Sequence, residues 1–180
     1  MKASPKINPA KLFIGFIFSR EEIYLKTKSI LEKKFGQSDF ESQILPFNHT
    51  HYYKNEFGAD LKRKFISFRR LCKPEKLPYI KIITNKIEIK FSRQDRRQIN
   101  IDPGILNLSK VILVTTKDYR HRIYLDKGIY AEVTLYYQNK SFQSWEWTYP
   151  DYKTQAYMQI FNTIRGIYVQ QINAFIKKSI

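Results

Sequence analysis

Residues 120–135, Arg-His-Arg-Ile-Tyr-Leu-Asp-Lys-Gly-Ile-Tyr-Ala-Glu-Val-Thr-Leu, read as a β-hairpin. Two alternating runs flank Asp126-Lys127-Gly128, and a three-residue loop with glycine in the left-handed position is a common hairpin connection. That loop sets Leu125 opposite Ile129, Tyr124 opposite Tyr130, Ile123 opposite Ala131, Arg122 opposite Glu132 and His121 opposite Val133. One face is then apolar, with Ile123, Leu125, Ile129, Ala131, Val133 and Leu135. The other carries Arg122, Tyr124, Tyr130, Glu132 and Thr134, and is where chemistry is expected.

Outward from the hairpin, Lys110 to Thr115 precedes it as a strand and Phe142 to Thr148 follows as an antiparallel run. Arg97 to Asp102 reads as a short strand entering a turn at Asp102-Pro103-Gly104. Upstream, Leu12 to Phe18 is apolar on both faces and therefore central in a sheet. Ser19 and Glu22 spell a capping box for a helix whose stripe is Ile23, Thr27, Ile30, Leu31 and Phe35, stopped by Gly36. Phe40 to Phe47 completes a β-α-β opening, which argues for two parallel strands. The spacing of Phe57, Leu61, Phe65, Phe68 and Leu71 predicts a helix over 53–71, with Lys62, Arg63, Lys64, Arg69 and Arg70 on its solvent side. Residues 79–92 fit helix or strand and are read as helix. A long helix closes the chain, with Thr154 as its N-cap and Tyr157, Ile160, Phe161, Ile164, Tyr168, Ile172 and Phe175 on its buried stripe.

The expected class is α+β: a single domain over 1–180, with a mixed, largely antiparallel sheet, helices mainly on one face, and residues 1–10 as a flexible arm. No apolar run is long enough to cross a membrane and the N-terminus has no secretory pattern, so a cytoplasmic location is expected. Cys72 is the single cysteine, which excludes an internal disulfide and fits a reducing compartment.

The formal charge of +16 arises from 32 Lys and Arg against 16 Asp and Glu. Between Lys54 and Arg97 there are 14 basic and 5 acidic residues, so the excess is concentrated there. Such a patch suits a polyanion, because phosphate affinity needs only several neutralising contacts.

Several phrases carry a resemblance over nearly the whole chain: Lys11-Leu12-Phe13-Ile14-Gly15, Pro46-Phe47-Asn48-His49-Thr50, Asn100-Ile101-Asp102-Pro103-Gly104, His121-Arg122-Ile123-Tyr124-Leu125 and Trp147-Thr148-Tyr149-Pro150-Asp151-Tyr152. In these the chain resembles an uncharacterised bacterial domain-of-unknown-function family, family 4416, some of whose members are labelled GTP-binding. The resemblance implies no particular activity. No Gly-x-x-x-x-Gly-Lys-Ser/Thr loop is present, and Thr116-Lys117-Asp118 lacks the residue that a guanine-reading motif has between Lys and Asp, so the chain is no P-loop GTPase.

The leading expectation is a basic polar pocket for a phosphate-bearing small molecule, such as a nucleotide. Arg97, Asp102, Lys110, Lys117, Arg122, Tyr124, Tyr130 and Thr134 would bind it. If the ligand is turned over, His121 or Glu132 would handle the proton. His49 and His51, one residue apart, could share a metal if Glu132, Asp102 or His121 arrived as a further ligand. Trp147, Tyr149 and Tyr152 could stack on a ring or seal a core edge. Two other readings stand beside this one: a nucleic-acid-binding module using the 54–97 surface, and a structural partner protein that oligomerises through its aromatics and long C-terminal helix. The sequence names no cofactor and fixes no oligomeric state.

Overall fold

The computed structural model describes residues 7–47, 60–94 and 96–178. Its sheet has nine strands: β1 (Lys11–Phe18), β2 (Ser38–Glu41), β3 (Leu45–Pro46), β4 (Lys62–Phe68), β5 (Ile99–Leu106), β6 (Lys110–Thr115), β7 (Ile123–Asp126), β8 (Ile129–Gln138) and β9 (Ser141–Ser144). Three α-helices lie among the described residues, α1 (Glu21–Phe35), α2 (Leu77–Lys90) and α3 (Gln155–Lys177). The spatial order is β2-β4-β1-β5-β6-β8-β7, with β3 also on β4 and β9 on β8. Every pairing is antiparallel. None of the described helices is long and apolar enough to cross a membrane.

Strand β1 is buried along its whole length and its side chains alternate between two cores. Leu12, Ile14, Phe16 and Phe18 meet Ile23, Tyr24 and Leu31 of α1 and Ile80 and Ile87 of α2. Phe13 points the other way and joins Phe161, Ile164, Tyr168 and Ile172 of α3. Two helices therefore cover one face and the third covers the other. The Phe161 ring is central to the second core, edge-on to Phe13 at 5.0 Å and to Phe65 at 5.3 Å. Of the stripe expected for α3, Tyr157, Phe161, Ile164, Tyr168 and Ile172 are buried and Ile160 packs beside them, whereas Phe175 is exposed. Thr154 caps the helix by accepting from the Tyr157 N–H at 3.4 Å. Ala10 exchanges two backbone hydrogen bonds with Cys72, and residues 1–6 of the expected arm lie outside the described residues.

Four expectations need correction. The first concerns residues 53–71: 48–59 lie outside the described residues, and 62–68 are β4, not a helix. Phe65, Ile66, Ser67 and Phe68 are all buried because β1 flanks β4 on one edge, β2 and β3 on the other, and cores cover both faces. An apolar run buried on both faces has no telling period, so its spacing imitated a helix. The basic stripe dissolves with it. Arg63 is interior, and Lys64 joins Lys28 in holding Glu41.

Second, β2 runs in the same direction as β1, but β4 is inserted between them, so they do not pair. The single strand read over 40–47 is two short ones, joined where Ser42 trades its N–H and Oγ with Phe65 of β4. Third, Arg20 occupies the N-cap of α1 without a side-chain cap, and Glu21 and Glu22 supply the favourable charge in the first turn instead.

The fourth correction is the hairpin loop. Lys127 (φ 51°) and Gly128 (φ 74°) form a two-residue turn with both positions left-handed. Asp126 therefore pairs with Ile129 and Leu125 becomes the bulged residue, while the Tyr124–Tyr130 and Ile123–Ala131 pairs stand as read. Burial divides the hairpin by strand more than by face, with Ile129 and Leu135 of β8 buried as expected. Glu132 and Thr134 are buried, whereas Ile123 and Tyr124 of the edge strand are 72% and 56% exposed.

Glu41 gives the fold a measurable acid response. Burial alone would raise its carboxyl, but hydrogen bonds from Lys28, Lys64 and Tyr24 (Oη to Oε1, 2.8 Å) outweigh that and hold it at about 2. A depressed folded-state value means that the unfolded chain binds the proton more readily, so stability present above the ordinary value of 4.5 drains away as pH falls toward 2. Urea titrations between pH 6 and 2.5 should show this slope in the wild type and a shallower one in Glu41→Gln; equal slopes would remove the assignment.

Candidate functional site

Strands β5 and β6 pair only at Gly104–Leu113, Ile105–Ile112 and Leu106–Val111, then diverge. The next position on β5 is Pro103, which has no N–H to return to the Val114 carbonyl, and the ladder stops there. The expected Asp102-Pro103-Gly104 turn is therefore a strand that runs straight through, opposite Ile14 and Gly15 of β1. Beyond the fork, α2 supplies what a strand would have. The Ile101 N–H donates to Glu88 Oε1 at 2.6 Å, and the Ile101 carbonyl accepts from Lys81 Nζ at 3.1 Å.

The opening is a cleft of about 790 Å3, within the range usual for small-molecule sites. Its charged lining is Arg63, Lys81, Arg97 and Lys117 against Glu88, Asp102, Asp151 and Glu132. Cations and carboxylates balance, so the cleft is polar without being the positive pocket expected. Ile17, Phe47, Leu113 and Val114 add apolar wall, and the turn of 3-10 helix at Pro150–Lys153, with Tyr149 before it, closes one side.

Arg63 is the centre of this arrangement. It reaches from β4 across β1, where Gly15 makes room: a Cβ at Gly15 would lie 2.8 Å from Arg63 Nη2 and 2.9 Å from the Phe65 ring. Nη1 donates to Asp102 Oδ2 at 3.3 Å and Nη2 to the Tyr152 hydroxyl at 2.8 Å, while the plane lies 4.7 Å from the Phe65 ring centroid. Nε is buried with no acceptor among the described residues. Burial opposes the charge on Arg63, but Tyr152, Tyr157, Asp151 and Asp102 around it outweigh that and keep the guanidinium protonated.

Beside it, Asn100 Nδ2 donates to Asp102 Oδ2 at 2.7 Å, and Arg97 Nη1 bridges Glu88 Oε2 at 3.1 Å and Asn100 Oδ1 at 3.2 Å. Burial pushes the Glu88 carboxyl above its ordinary value, against the pull of Lys81. Tyr149 is raised to about 12, by burial first and then by the Glu132 charge. Both phenols keep their protons at neutral pH, since burial also lifts Tyr152 well above its ordinary value.

The residues expected from the sequence divide into two sets. Arg97, Asp102, Lys117 and Glu132 line the cleft. Arg122 stands behind it: Nε donates to Glu132 Oε2 at 2.9 Å, Nη2 to the Tyr149 hydroxyl at 2.6 Å and Nη1 to the Lys117 carbonyl at 3.0 Å, so it positions three cleft residues at once. The Arg122–Glu132 partnership is as read. His121, placed on the apolar face by alternation, lies just before β7, where the alternation no longer holds. It sets Nε2 3.2 Å from Glu132 Oε2 and stacks on Trp147 at 5.7 Å, outside the cleft lining.

Thr134 donates to Glu132 Oε1 at 3.4 Å from a buried position. Tyr124 and Tyr130 pack edge to face at 5.4 Å on the outer hairpin, and Lys110 begins β6 at the end remote from the fork. His49 and His51 lie outside the described residues, and among those described no cluster of three metal-ligating side chains occurs.

Arg63, Lys81, Glu88 and Asn100 were missed as cleft residues. The available signals were small ones: a glycine within an all-apolar strand, which marks a close approach, and a carboxylate on an apolar helix. No curated protein and no solved structure matches the chain. The chain does match a family of domains of unknown function from residue 8 to residue 168, and it belongs to that family, DUF4416.

Proposed function

We propose that the cleft at the β5–β6 fork binds a phosphate-bearing small molecule, its anionic end held by Arg63 and Lys81. The observation that carries this is the buried guanidinium. Of its five N–H donors, two have protein acceptors and Nε faces none among the described residues. Leaving a charged donor buried and unfilled is costly unless something else accepts from it. Lys81, at 9% side-chain exposure, donates to the Ile101 carbonyl and lies 3.9 Å from Asp102 Oδ1, and its ammonium has three protons to share with an oxyanion. Balanced charge in the lining favours an anion that lands on these directions over one drawn by a diffuse positive field.

Glu132 is the residue placed to exchange a proton with a bound molecule, since it lines the cleft while its Oε2 is fixed by Arg122 and His121. Of the 54–97 basic residues behind the nucleic-acid reading, Arg63 and Lys81 are interior while Arg69, Arg70, Lys86 and Lys90 are exposed, and most of the α3 stripe behind the oligomerisation reading packs in the protein's own core.

Thermal shift with inorganic phosphate, ribose 5-phosphate and nucleoside monophosphates tests the proposal. At least one should raise the melting temperature in a concentration-dependent way, the stabilisation reaching about 2.7 kcal/mol at a hundredfold excess over Kd. Lys81→Met should weaken that response at least tenfold. No response from any phosphate compound, or an unchanged one in Lys81→Met, would remove it.

A further inference from the structure

The fork itself says something about the other end of the ligand, given the phosphate reading above on which this inference rests. In an antiparallel ladder the residues that turn both N–H and C=O toward one neighbour recur every second position. Asn107 donates to the Lys110 carbonyl at 3.0 Å, which closes the β5–β6 hairpin with a hydrogen-bonded pair. The same phase puts Ile105 with Ile112, and Pro103 with Val114. Val114 therefore turns its carbonyl toward a residue that cannot donate. Ile101, next in phase on β5, is already taken by Glu88 and Lys81.

At Val114 the strand edge in the fork thus presents an acceptor with no N–H opposite it. Glu88 and Asp102 flank it from α2 and β5, and Leu113 and Val114 add apolar side chains on the two faces of β6. The slot between the strands suits a planar ring, and its polar groups favour one that brings N–H.

Distance is compatible with one ligand joining both ends. The Arg63 guanidinium lies over β1 and meets Asp102 of β5, so the β6 edge is roughly 10 Å away, two strand spacings. A ring joined through a sugar to a phosphate has that reach. The cleft then uses its cations on the phosphate and its acceptors on the ring, which explains why a site for an anion is lined by as many carboxylates as cations.

We infer that the cleft's ligand is a phosphorylated compound carrying an amino-substituted nitrogen heterocycle, whose exocyclic N–H group enters the β5–β6 fork and donates to the Val114 carbonyl. The structure selects amino over oxo at that position, because an oxo group would set a second acceptor against the carbonyl.

Isothermal titration with paired probes tests this. Adenosine and cytidine 5′-monophosphates should bind at least tenfold tighter than inosine and uridine 5′-monophosphates, and ribose 5-phosphate should bind no better than the oxo pair. Pro103→Ala gives β5 the missing N–H, which can bond the Val114 carbonyl and extend the ladder. It should fold, keep its affinity for ribose 5-phosphate and lose the amino preference. Equal binding of amino and oxo probes, or a preference that survives in Pro103→Ala, overturns the inference and leaves the phosphate reading standing. Failure of every probe, ribose 5-phosphate included, overturns both.

Discussion

Replacing Asp39 by leucine is expected to cost about 3–5 kcal/mol, because it leaves a buried ammonium without its counter-charge. Lys11 is fully buried at the start of β1, where Nζ pairs with Asp39 of β2 and donates to Gln171 Oε1 of α3 at 2.8 Å. Asp39 also accepts from Ser67 Oγ of β4 at 2.7 Å, and Gln171 Nε2 donates to Asp39 Oδ2 at 3.1 Å and to the Arg69 carbonyl at 3.0 Å. One ion pair thus joins three strands to the C-terminal helix. Burial lowers the Lys11 value below 10.5, and Asp39 is what opposes that fall. Without Asp39 the folded chain holds the proton more weakly still while the unfolded chain keeps it, so the variant should regain stability as pH rises toward 10.5. Urea denaturation at pH 7 and pH 9.5 checks both points. Lys11→Met combined with Asp39→Leu should recover much of the loss, since apolar replacement of a buried pair is often neutral or better. A loss under about 1 kcal/mol for Asp39→Leu alone would show that the ammonium is hydrated after all.

What the sequence disclosed depended on how many faces of an element are buried. α1 and α3 each leave one side to solvent, and their stripes are legible at three and four; 79–92, rich in β-branched residues, fit helix or strand alike, and the structure makes 77–90 the helix α2. The hairpin was legible from its glycine turn and flanking alternation, which gave the Tyr124–Tyr130 and Ile123–Ala131 pairs, but not the two-residue loop or the bulge at Leu125. β4 was misread because both its faces and both its edges are occupied, which erases any period and leaves chance spacing. Pro103-Gly104 was misread as a turn because local propensity favours one there. The neighbours decide otherwise, since β1 pairs on one side and β6 stops short on the other.

The site was half legible for the same kind of reason. Arg122 and Glu132 are cross-strand neighbours, so a register places them together. Arg63 comes from β4 and Lys81 and Glu88 from α2, with no shared period or register to relate them, and α2 reaches β5 at Ile101 where the β5–β6 ladder fails. The charge count over 54–97 also includes Arg63 and Lys81, which are interior and paired with Asp102, so these two add nothing to a basic surface.

Arg63→Ala should lower stability by about 3–5 kcal/mol, a fall of roughly 10 °C in melting temperature for a domain of this size. At 1% exposure the side chain fills space among Phe47, Phe65, Tyr152 and Tyr157, whose rings lie 4.7 to 5.9 Å from its guanidinium carbon, and truncation empties that space. It also takes the donor from the buried Tyr152 hydroxyl and the counter-charge from Asp102. Arg63→Met separates these effects. Methionine restores apolar contact with the same four rings, and Asp102, 29% exposed, can turn to water, so this variant should lose under half as much stability. Both variants should lose the stabilisation by phosphate compounds, because the buried donors are gone in each. If Arg63→Met folds and its melting temperature still rises with phosphate compounds as the wild type's does, the anion is held elsewhere and the guanidinium is a strut between β4 and the 150–153 turn. If the response disappears in Arg63→Met while the fold persists, the cation is buried for its ligand, and Gly15 keeps that place open.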